Sequence, residues 1–291
     1  IWCVHYVLGD QKFMGIFSML FGAGAAIFLA NARRREVPRP RALFFRRLAW
    51  LFVFGLIHAY LIWPGDILVV YALCGLVLIF AERLSNRSVF GLAIGFLSVG
   101  VLINLFLGLL AVPEMSSAEL AELRDSWQPP AADLAAEAAA WRGSWLEQMP
   151  VRAESAFFFH TVLFAIWGFW RITGSMLLGL ALYRSGFFGS VIGSGNTGSG
   201  AWPLARLVAL VLVGWSISGL GLYFNIQNGW AAEYSVFQGA VWNFCGSVLA
   251  AIGYAGLVIR AVQQRGAIAA MLQHWLGMIG RTAFSGYIFQ S

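Results

Sequence analysis

Charged residues are scarce in this 291-residue chain, where Asp, Glu, Lys and Arg together make up 11% of the sequence. Soluble globular proteins are about a quarter charged and about half apolar, whereas this chain is 60% hydrophobic and has a mean hydropathy of +0.75. So much apolar surface cannot fit inside one water-soluble core, which excludes ordinary soluble enzymes. Apolar runs of about 20 residues, the length that crosses a bilayer, instead predict an all-α, polytopic transmembrane helix bundle.

Lysine and paired cysteines are also nearly absent. Lys12 is the single lysine, and the remaining positive charge is arginine concentrated in the loop 32–47. Such a loop beside an apolar run is typical of a membrane surface, so we predict contact with the lipid bilayer and no nucleic-acid partner. The cysteines Cys3, Cys74 and Cys245 have no CxxC spacing, which argues against a zinc site or a disulfide framework. We interpret them as buried small apolar residues and predict no metal.

The apolar runs divide the chain into three regions. Residues 1–112 form a predicted N-terminal bundle, 113–154 an acidic insert with two short helices, and 155–291 a C-terminal bundle interrupted by the Gly/Ser-rich linker 189–200. The chain begins at Ile1 without Met and shows no signal peptide, so we expect further spans in the natural protein. We predict seven full spans and a partial one, at about 13–31, 48–63, 67–81, 89–112, 156–183, 204–225, 237–261 and 267–291.

Arginine distribution predicts how these spans are oriented. Loops rich in arginine lie on the cytoplasmic side, and the arginine-bearing loops alternate with arginine-free turns at 64–66 and 226–236. The loop 32–47 is therefore predicted to be cytoplasmic and the insert 113–154 extracytoplasmic. In the first span, Gly22, Gly24 and Ala25 predict a small-residue face against which another helix packs closely.

Ionisable residues inside spans are the best candidates for a functional site, because they are costly to place in lipid. His58 stands near the outer end of its span, and Asp66 follows eight residues later across a Pro-Gly turn. Asp66 could hold the His58 ring in one tautomer, as a general base requires. The alternative is structural: Asp66 caps the next helix, and His58 is an interfacial polar residue.

Three further residues add to this picture. His160 and His5 are predicted on the same outer side as His58. Arg171 lies within a long span, where it could bind an anionic substrate group; the alternative is a buried arginine paired with helix carbonyls or with Asp66. His274 is interpreted as an ordinary inner-side residue.

Three stretches together carry a family resemblance: Lys12-Phe13 with FSMLFGAGAA (17–26), the stretch 46–76, and GRTAFSGYIFQS (280–291). The middle stretch is the most specific, with Arg46-Arg47, Gly55-Leu56-Ile57-His58 and Gly65-Asp66-Ile67-Leu68 in the same order as the family. The chain resembles the YeiB family, bacterial membrane proteins that carry domain of unknown function 418 and are distantly similar to transmembrane acyltransferases.

The resemblance implies a location in the bacterial cytoplasmic membrane and a reaction. Those acyltransferases use a membrane histidine to move an acyl group from a cytoplasmic thioester to an extracytoplasmic acceptor. By resemblance, His58 and Asp66 are the candidates for the catalytic base and its orienting partner. Arg171 and His160 are predicted to bind the substrate, from their chemistry and their positions in the chain. The chain lacks the family's usual opening Arg-Gly span, so His5, just before the first run, is the alternative catalytic histidine.

The favoured hypothesis is therefore a membrane acyltransferase that acts on an envelope sugar or another small acceptor. Its donor would be an acyl-coenzyme A whose phosphates meet Arg46 and Arg47 in the basic loop. Two other hypotheses remain open. A transporter or permease would use the Pro-Gly break beside Asp66 as part of a substrate path, and a non-catalytic scaffold would bind a partner through the acidic insert.

Overall fold

A computed structural model describes residues 1–188, 202–263 and 266–289 of the chain; the predicted linker 189–200 lies outside these residues. Within them, every regular element is a helix, as the apolar runs predict. The first half contains α1 (Trp2–Leu8), α2 (Lys12–Arg34), α3 (Pro40–Leu61), α4 (Leu68–Ala81), α5 (Asn86–Phe106), α6 (Ser117–Trp127) and α7 (Ala131–Trp141). The second half contains α8 (Met149–Phe158), α9 (Phe169–Arg184), α10 (Leu204–Gln227), α11 (Ala232–Ser235), α12 (Gln238–Gln263), α13 (Ala267–Arg281) and α14 (Ala283–Phe289).

Six helical stretches of the described chain are long and apolar enough to cross a bilayer, so the protein is a multi-pass membrane protein whose helices contact lipid. They are Trp2–Arg34, Pro40–Leu61, Asn86–Glu114, Met149–Arg184, Leu204–Gln227 and Ala232–Gln263. The run 67–81, predicted as a full span, is too short to cross a bilayer: α4 has 14 residues, or about 21 Å at 1.5 Å per residue. It is a short buried helix, bounded by the Pro64-Gly65 turn before it and by the polar turn after Ala81.

Helix α9 is the centre of the bundle, and it packs against α2, α4 and α5. Two glycines let the backbones of α2 and α9 touch: a Cβ on Gly22 would lie 1.9 Å from the Met176 carbonyl oxygen, and a Cβ on Gly179 would lie 2.0 Å from that of Met19. Gly22 therefore belongs to the predicted packing face, but Gly24 does not. Gly24 is exposed, with nothing within 4 Å of the position that a Cβ would take. Each helical residue turns by about 100°, so Gly24 lies on nearly the opposite face of α2 from Gly22.

The helices run antiparallel, so the bundle has two ends, which we call the arginine side and the insert side. At the arginine side, Glu82 after α4 binds arginines from α2 and α3, Arg33 at 2.5 Å and Arg41 at 2.9 Å. Arg184, at the end of α9, donates to the Glu82 carbonyl oxygen at 2.6 Å. At the insert side, residues 115–148 cover the opposite helix ends, where Trp145 Nε1 donates to the Leu61 carbonyl oxygen at 2.8 Å.

The Glu82 cluster gives the fold a measurable dependence on pH. Hydrogen bonds from Arg33 and Arg41 lower the pKa of the Glu82 carboxyl to about 2. Because this folded-state pKa lies below the ordinary value, the stabilisation is complete above about pH 4.5 and is lost as the pH falls toward 2.

We expect Glu82→Gln to lower the melting temperature at pH 7 by roughly 2–4 °C, the size expected for a small ion-pair cluster. The difference from the unsubstituted protein should shrink between pH 4.5 and pH 2, as measured by thermal unfolding. Glu36→Gln, at an exposed position in the loop between α2 and α3 on the same side of the bundle, is the matched control. A Glu82→Gln difference that stays constant down to pH 2 would contradict the assignment.

The cysteines differ from one another in exposure. Cys74 is fully buried in α4 and Cys245 is partly buried, but Cys3 is exposed in α1. The interpretation of all three as buried apolar residues is therefore wrong for Cys3. Its helix is only seven residues long and packs on the bundle edge against α10, so much of its surface stays uncovered.

Candidate functional site

A buried histidine–aspartate pair stands where α3 turns into α4 on the insert side. His58 Nδ1 lies 2.9 Å from Asp66 Oδ1, and the two residues are 1% and 0% exposed. The turn explains this proximity. Trp63 and Pro64 end α3, and Gly65 lets the chain reverse, so a residue near the end of α3 faces the residue that precedes α4.

Asp66 uses its two oxygens for different purposes. Oδ2 accepts a hydrogen bond from the Val69 backbone nitrogen at 3.1 Å, as a residue that caps a helix does. Oδ1 accepts from His58 and also from the Tyr287 hydroxyl at 3.0 Å. The capping and the histidine-holding interpretations of Asp66 are therefore compatible, and each has its own oxygen.

Tyr287, in α14, is a member of this cluster that the sequence reasoning did not assign. Its hydroxyl accepts from the Ile67 backbone nitrogen at 3.0 Å, and its ring lies 5.3 Å from the His58 ring, centroid to centroid. Burial raises the pKa of the Tyr287 phenol, so the hydroxyl stays protonated and can donate a hydrogen bond to Asp66. The available signal was its place in the stretch 280–291, one of the three that carried the family resemblance.

His160 approaches the same cluster from the helix that precedes α9. It lies near the backbone of Asp66, and its ring is 6.0 Å from that of Tyr60. Within the described part of the chain, neither of its ring nitrogens makes a hydrogen bond of acceptable geometry. His160 stands in a π-helical stretch, Phe159–Gly168, a rare geometry that often occurs at functional sites. Of the predicted site residues, His58, Asp66 and His160 therefore come together.

An apolar groove leads from this cluster toward the arginine side. It has a volume of about 430 Å³ and runs between α2, α3, α4 and the α13–α14 turn, with Ile67 and Tyr287 near one end and Arg47 near the other. A neighbouring cavity of about 430 Å³ shares Phe17, Phe21 and Arg47 with it. Both volumes lie in the range of small-molecule sites, about 300–1,000 Å³.

The two arginines predicted to meet coenzyme A differ in position. Arg47 lines the groove and lies over the Phe28 ring, 5.3 Å from its centroid. Arg46 is exposed, as Arg47 is, but it does not line the groove, because successive residues of a helix point in different directions. Arg281, which the sequence reasoning did not assign, lines the groove with Arg47. The cationic pair at the groove is thus Arg47 and Arg281.

Arg171 does not join the His58 cluster, in contrast to its predicted role in substrate binding. It is completely buried, with its guanidinium 4.6 Å from the Phe244 ring centroid. Its terminal nitrogens donate to the Phe244 carbonyl oxygen at 2.7 Å and to Ser247 Oγ at 2.6 Å. These contacts match the structural alternative, a buried arginine paired with a helix carbonyl, because α12 supplies both acceptors.

His5, the alternative catalytic histidine, belongs to a different pocket, lined by residues of α1, α6, α10, α11 and α12 and of the turns beside them. A buried polar network that the sequence reasoning did not assign lies beneath it. Lys12 Nζ donates to Asn243 Oδ1 at 2.6 Å, and Asn243 Nδ2 donates to Asp10 Oδ2 at 2.7 Å. The single lysine in a span was the available signal, but its partner is 231 residues away.

Comparison with known proteins finds one matching family and several similar proteins. The family described as "Protein of unknown function (DUF418)" matches residues 195–291. The chain is 29% identical to the uncharacterized protein YeiB of Escherichia coli (strain K12) over all of its own length and 69% of YeiB. It is 42% identical to the uncharacterized protein YxaH of Bacillus subtilis (strain 168), over 27% of the chain and 19% of YxaH.

A third relative is an uncharacterized 39.9 kDa protein encoded in the amylase 3' region of Bacillus acidopullulyticus, 45% identical over 25% of the chain and 21% of that protein. No solved structure matches the chain. Similarity to YeiB along the entire chain agrees with the match to the C-terminal third, and the stretches around His58, Asp66 and Tyr287 lie inside the aligned length. The chain is therefore similar to YeiB along its whole length, and its C-terminal third matches the DUF418 family.

Proposed function

We propose that this chain is a membrane acyltransferase that moves an acyl group from a thioester donor to a hydroxyl or amine acceptor. The donor enters from the arginine side, and the acceptor is bound at the insert side. The observation that carries the proposal is the buried His58–Asp66 pair, held beside one end of an apolar groove whose other end carries Arg47.

His58 is the proposed general base. Asp66 holds Nδ1 at 2.9 Å, so the ring keeps one orientation and Nε2 is the nitrogen that takes up a proton. The acceptor oxygen or nitrogen transfers its proton to Nε2 and bonds to the thioester carbonyl carbon. The carbon–sulfur bond then breaks, and the leaving thiolate receives the proton from His58. Tyr287 and Val69 hold the Asp66 carboxylate in place during both transfers.

The groove suits an acyl thioester in shape and in charge. Aromatic and aliphatic side chains form most of its lining, which favours burial of an acyl chain. The guanidinium groups of Arg47 and Arg281 favour the phosphates of coenzyme A. We therefore propose that the phosphates bind near Arg47 and that the thioester points toward Tyr287, with His160 contacting the acceptor.

The same proposal includes the orientation of the protein. Arginine-rich loops favour the cytoplasmic side of a bacterial inner membrane, which is also where acyl thioesters are available. The arginine side would then face the cytoplasm, and the insert 113–154 would face outward, so that the acceptor is an envelope component.

The direct test is transfer of labelled acyl groups by the full chain in lipid nanodiscs. Radiolabelled acyl-coenzyme A of several chain lengths would be mixed with a bacterial envelope extract, and labelled products would be separated and counted. We expect time-dependent transfer that requires the protein, and nanodiscs without it are the control. A folded protein that transfers no label from any thioester, or that takes label only from phospholipids supplied in a parallel reaction, would contradict the proposal.

A transporter is the second candidate, and the polar network between α2, α10 and α12 favours it. Lys12 is fully buried within a span and is joined through Asn243 to Asp10 at a pocket, as expected of an ion-coupled path. Solute counterflow in proteoliposomes that is lost in Asp10→Asn but kept in His58→Gln would favour transport over acyl transfer.

A further inference from the structure

A second pocket, which we name the insert-side pocket, lies apart from the groove and from the His58 cluster. It has a volume of about 340 Å³, and its lining includes no residue of α3 or α4. Polar and aromatic side chains alternate around it. It is the pocket that His5 lines, and its other lining residues include the aromatic Trp2, Tyr6 and Trp230 and the polar Gln11, Asn225 and Ser235.

Unpaired polar atoms are concentrated among these residues. Gln11 Oε1, Asn225 Oδ1 and Ser235 Oγ are buried and have no hydrogen-bond partner of good geometry in the parts of the chain that the structure describes. The Asn225 amide also lies near the Tyr6 hydroxyl and against the backbone of Gly239. Asn225 and Ser235 are 2% and 4% exposed, and Asn225 Nδ2 already donates to the Gly221 carbonyl oxygen at 2.9 Å. Buried polar atoms are normally paired in native proteins, by other protein groups or by ordered water, so these three atoms make the pocket a place where a polar molecule can complete the hydrogen bonding.

The chemistry of these atoms selects the ligand's polar groups. Two are amide oxygens, which only accept hydrogen bonds, and the third is a hydroxyl, which can do either. Asp10 adds a carboxylate to the same lining. A ligand that satisfies this set must carry several hydrogen-bond donors, as a molecule with many hydroxyl groups or an organic cation does.

The local charges favour a neutral ligand over a cation. Asn243 bridges Asp10 and Lys12, accepting from Lys12 Nζ at 2.6 Å and donating to Asp10 Oδ2 at 2.7 Å. The carboxylate therefore has a buried positive charge close to it, and a second cation would be repelled by Lys12. A neutral donor-rich ligand meets no such opposition.

Aromatic rings form the apolar walls of the pocket. The Trp2 ring centroid lies 4.8 Å from that of Trp230 and 5.4 Å from that of Tyr6. Ring faces contact the C–H surfaces of a cyclic polyol, while its hydroxyl groups reach acceptors at the edges. The volume lies at the lower end of the range for ligand sites, which suits a small molecule rather than a polymer chain.

We infer that the insert-side pocket binds a neutral polyhydroxyl ring, either a soluble saccharide or the polyol headgroup of a lipid. Asn225, Ser235 and Gln11 accept hydrogen bonds from its hydroxyl groups, and Trp2 and Trp230 contact its apolar face. This inference rests on the pocket alone and does not require acyl transfer, because binding needs neither the donor nor His58.

Two substitutions test the site without threatening the fold. Gln11 has φ of 62°, in the left-handed region, so Gln11→Gly removes an acceptor and relieves the backbone. Ser235→Ala removes an unpaired buried hydroxyl, which should stabilise the empty protein. Both variants should therefore unfold at the same temperature as the parent or higher, while their ligand affinity falls. Glu36→Gly is the matched control, because Glu36 also has a left-handed φ, 52°, but lies in the loop at the arginine side.

Binding would be measured by isothermal titration of the full chain in nanodiscs, without any acyl donor. The probes are methyl glucoside, myo-inositol, vesicles containing a glycolipid, and methylguanidinium as the cationic comparison, since its N–H groups also donate hydrogen bonds. We expect one of the polyhydroxyl probes to bind, with affinity reduced about tenfold in Gln11→Gly, several-fold in Ser235→Ala, and unchanged in Glu36→Gly. The soluble probes and the vesicles distinguish a free saccharide from a lipid headgroup.

Three results would overturn the inference: no polyhydroxyl probe binds the folded protein, both substitutions leave the affinity unchanged, or methylguanidinium binds instead and its binding is lost in Asp10→Asn. Acyl transfer to a different acceptor with normal rates in Gln11→Gly would leave the proposed function standing even if this pocket binds no polyol. Conversely, polyol binding that persists in His58→Gln while acyl transfer is lost would show that the pocket binds its ligand independently of the proposed reaction.

Discussion

His58→Gln is expected to lower the rate of acyl transfer by about 10²- to 10⁴-fold, the usual contribution of a general base. Glutamine can still donate a hydrogen bond to Asp66, so the buried carboxylate stays paired, but its amide cannot take up a proton. The loss should therefore appear in the transfer rate and hardly in the melting temperature. The measurement is initial rates of label transfer in nanodiscs, with thermal unfolding of the same samples.

His274→Gln is the matched control, because His274 lies on an exposed face of α13 and no role is proposed for it. Asp66→Asn should also slow transfer, since an amide no longer holds the His58 ring as a carboxylate does, while one oxygen can still cap α4 at Val69. Transfer at the unsubstituted rate in His58→Gln would remove this residue from the mechanism. Equal losses in His274→Gln would show that the effect is not specific.

Gly22→Ala is expected to destabilise the protein by about 3 kcal/mol, the upper part of the usual range for overpacking. The added methyl would lie 1.9 Å from the Met176 carbonyl oxygen, and a backbone atom cannot move aside as a flexible side chain can. Helices α2 and α9 must then separate along their crossing, which disturbs the centre of the bundle. Gly179→Ala should have a similar effect, because its methyl would meet the Met19 carbonyl oxygen at 2.0 Å.

Gly24→Ala, two residues away on α2, is the control for helix propensity and hydrophobicity. Nothing lies within 4 Å of the position of its added methyl, so we expect no loss of stability. The comparison is made by thermal unfolding of the three variants in the same detergent. Equal melting temperatures for Gly22→Ala and Gly24→Ala would contradict the close crossing of α2 and α9.

Local patterns in the sequence were sufficient for the helices and for one part of the site. Apolar runs of bilayer length predicted the long spans, because length and hydropathy are properties of contiguous residues. His58 and Asp66 were paired correctly in position because a single Pro-Gly turn separates them. The run 67–81 was predicted with nearly the correct bounds but was wrongly counted as a full span, since a helix of 14 residues is shorter than the roughly 20 residues that cross a bilayer.

Contacts between distant segments could not be predicted in the same way. Asp10 and Asn243 are 233 residues apart, and Tyr287 meets Asp66 across 221 residues. Arg171 illustrates the same limit, because an arginine in a span looks alike whether a substrate or the Phe244 carbonyl oxygen accepts its hydrogen bonds. Which face of a helix turns inward depends on its neighbours, as the exposure of Gly24 beside buried Gly22 demonstrates.

The most direct test of the central proposal is a side-resolved transfer assay in sealed proteoliposomes. Orientation would be determined by protease cleavage within the insert 113–154, and acyl-coenzyme A would be supplied on one side of the membrane only, with the acceptor on the other. We predict transfer when the thioester is on the arginine side and the acceptor on the insert side, and little transfer in the reverse arrangement. Full transfer with both compounds confined to the insert side would contradict a groove that carries the donor from Arg47 to the His58–Asp66 pair.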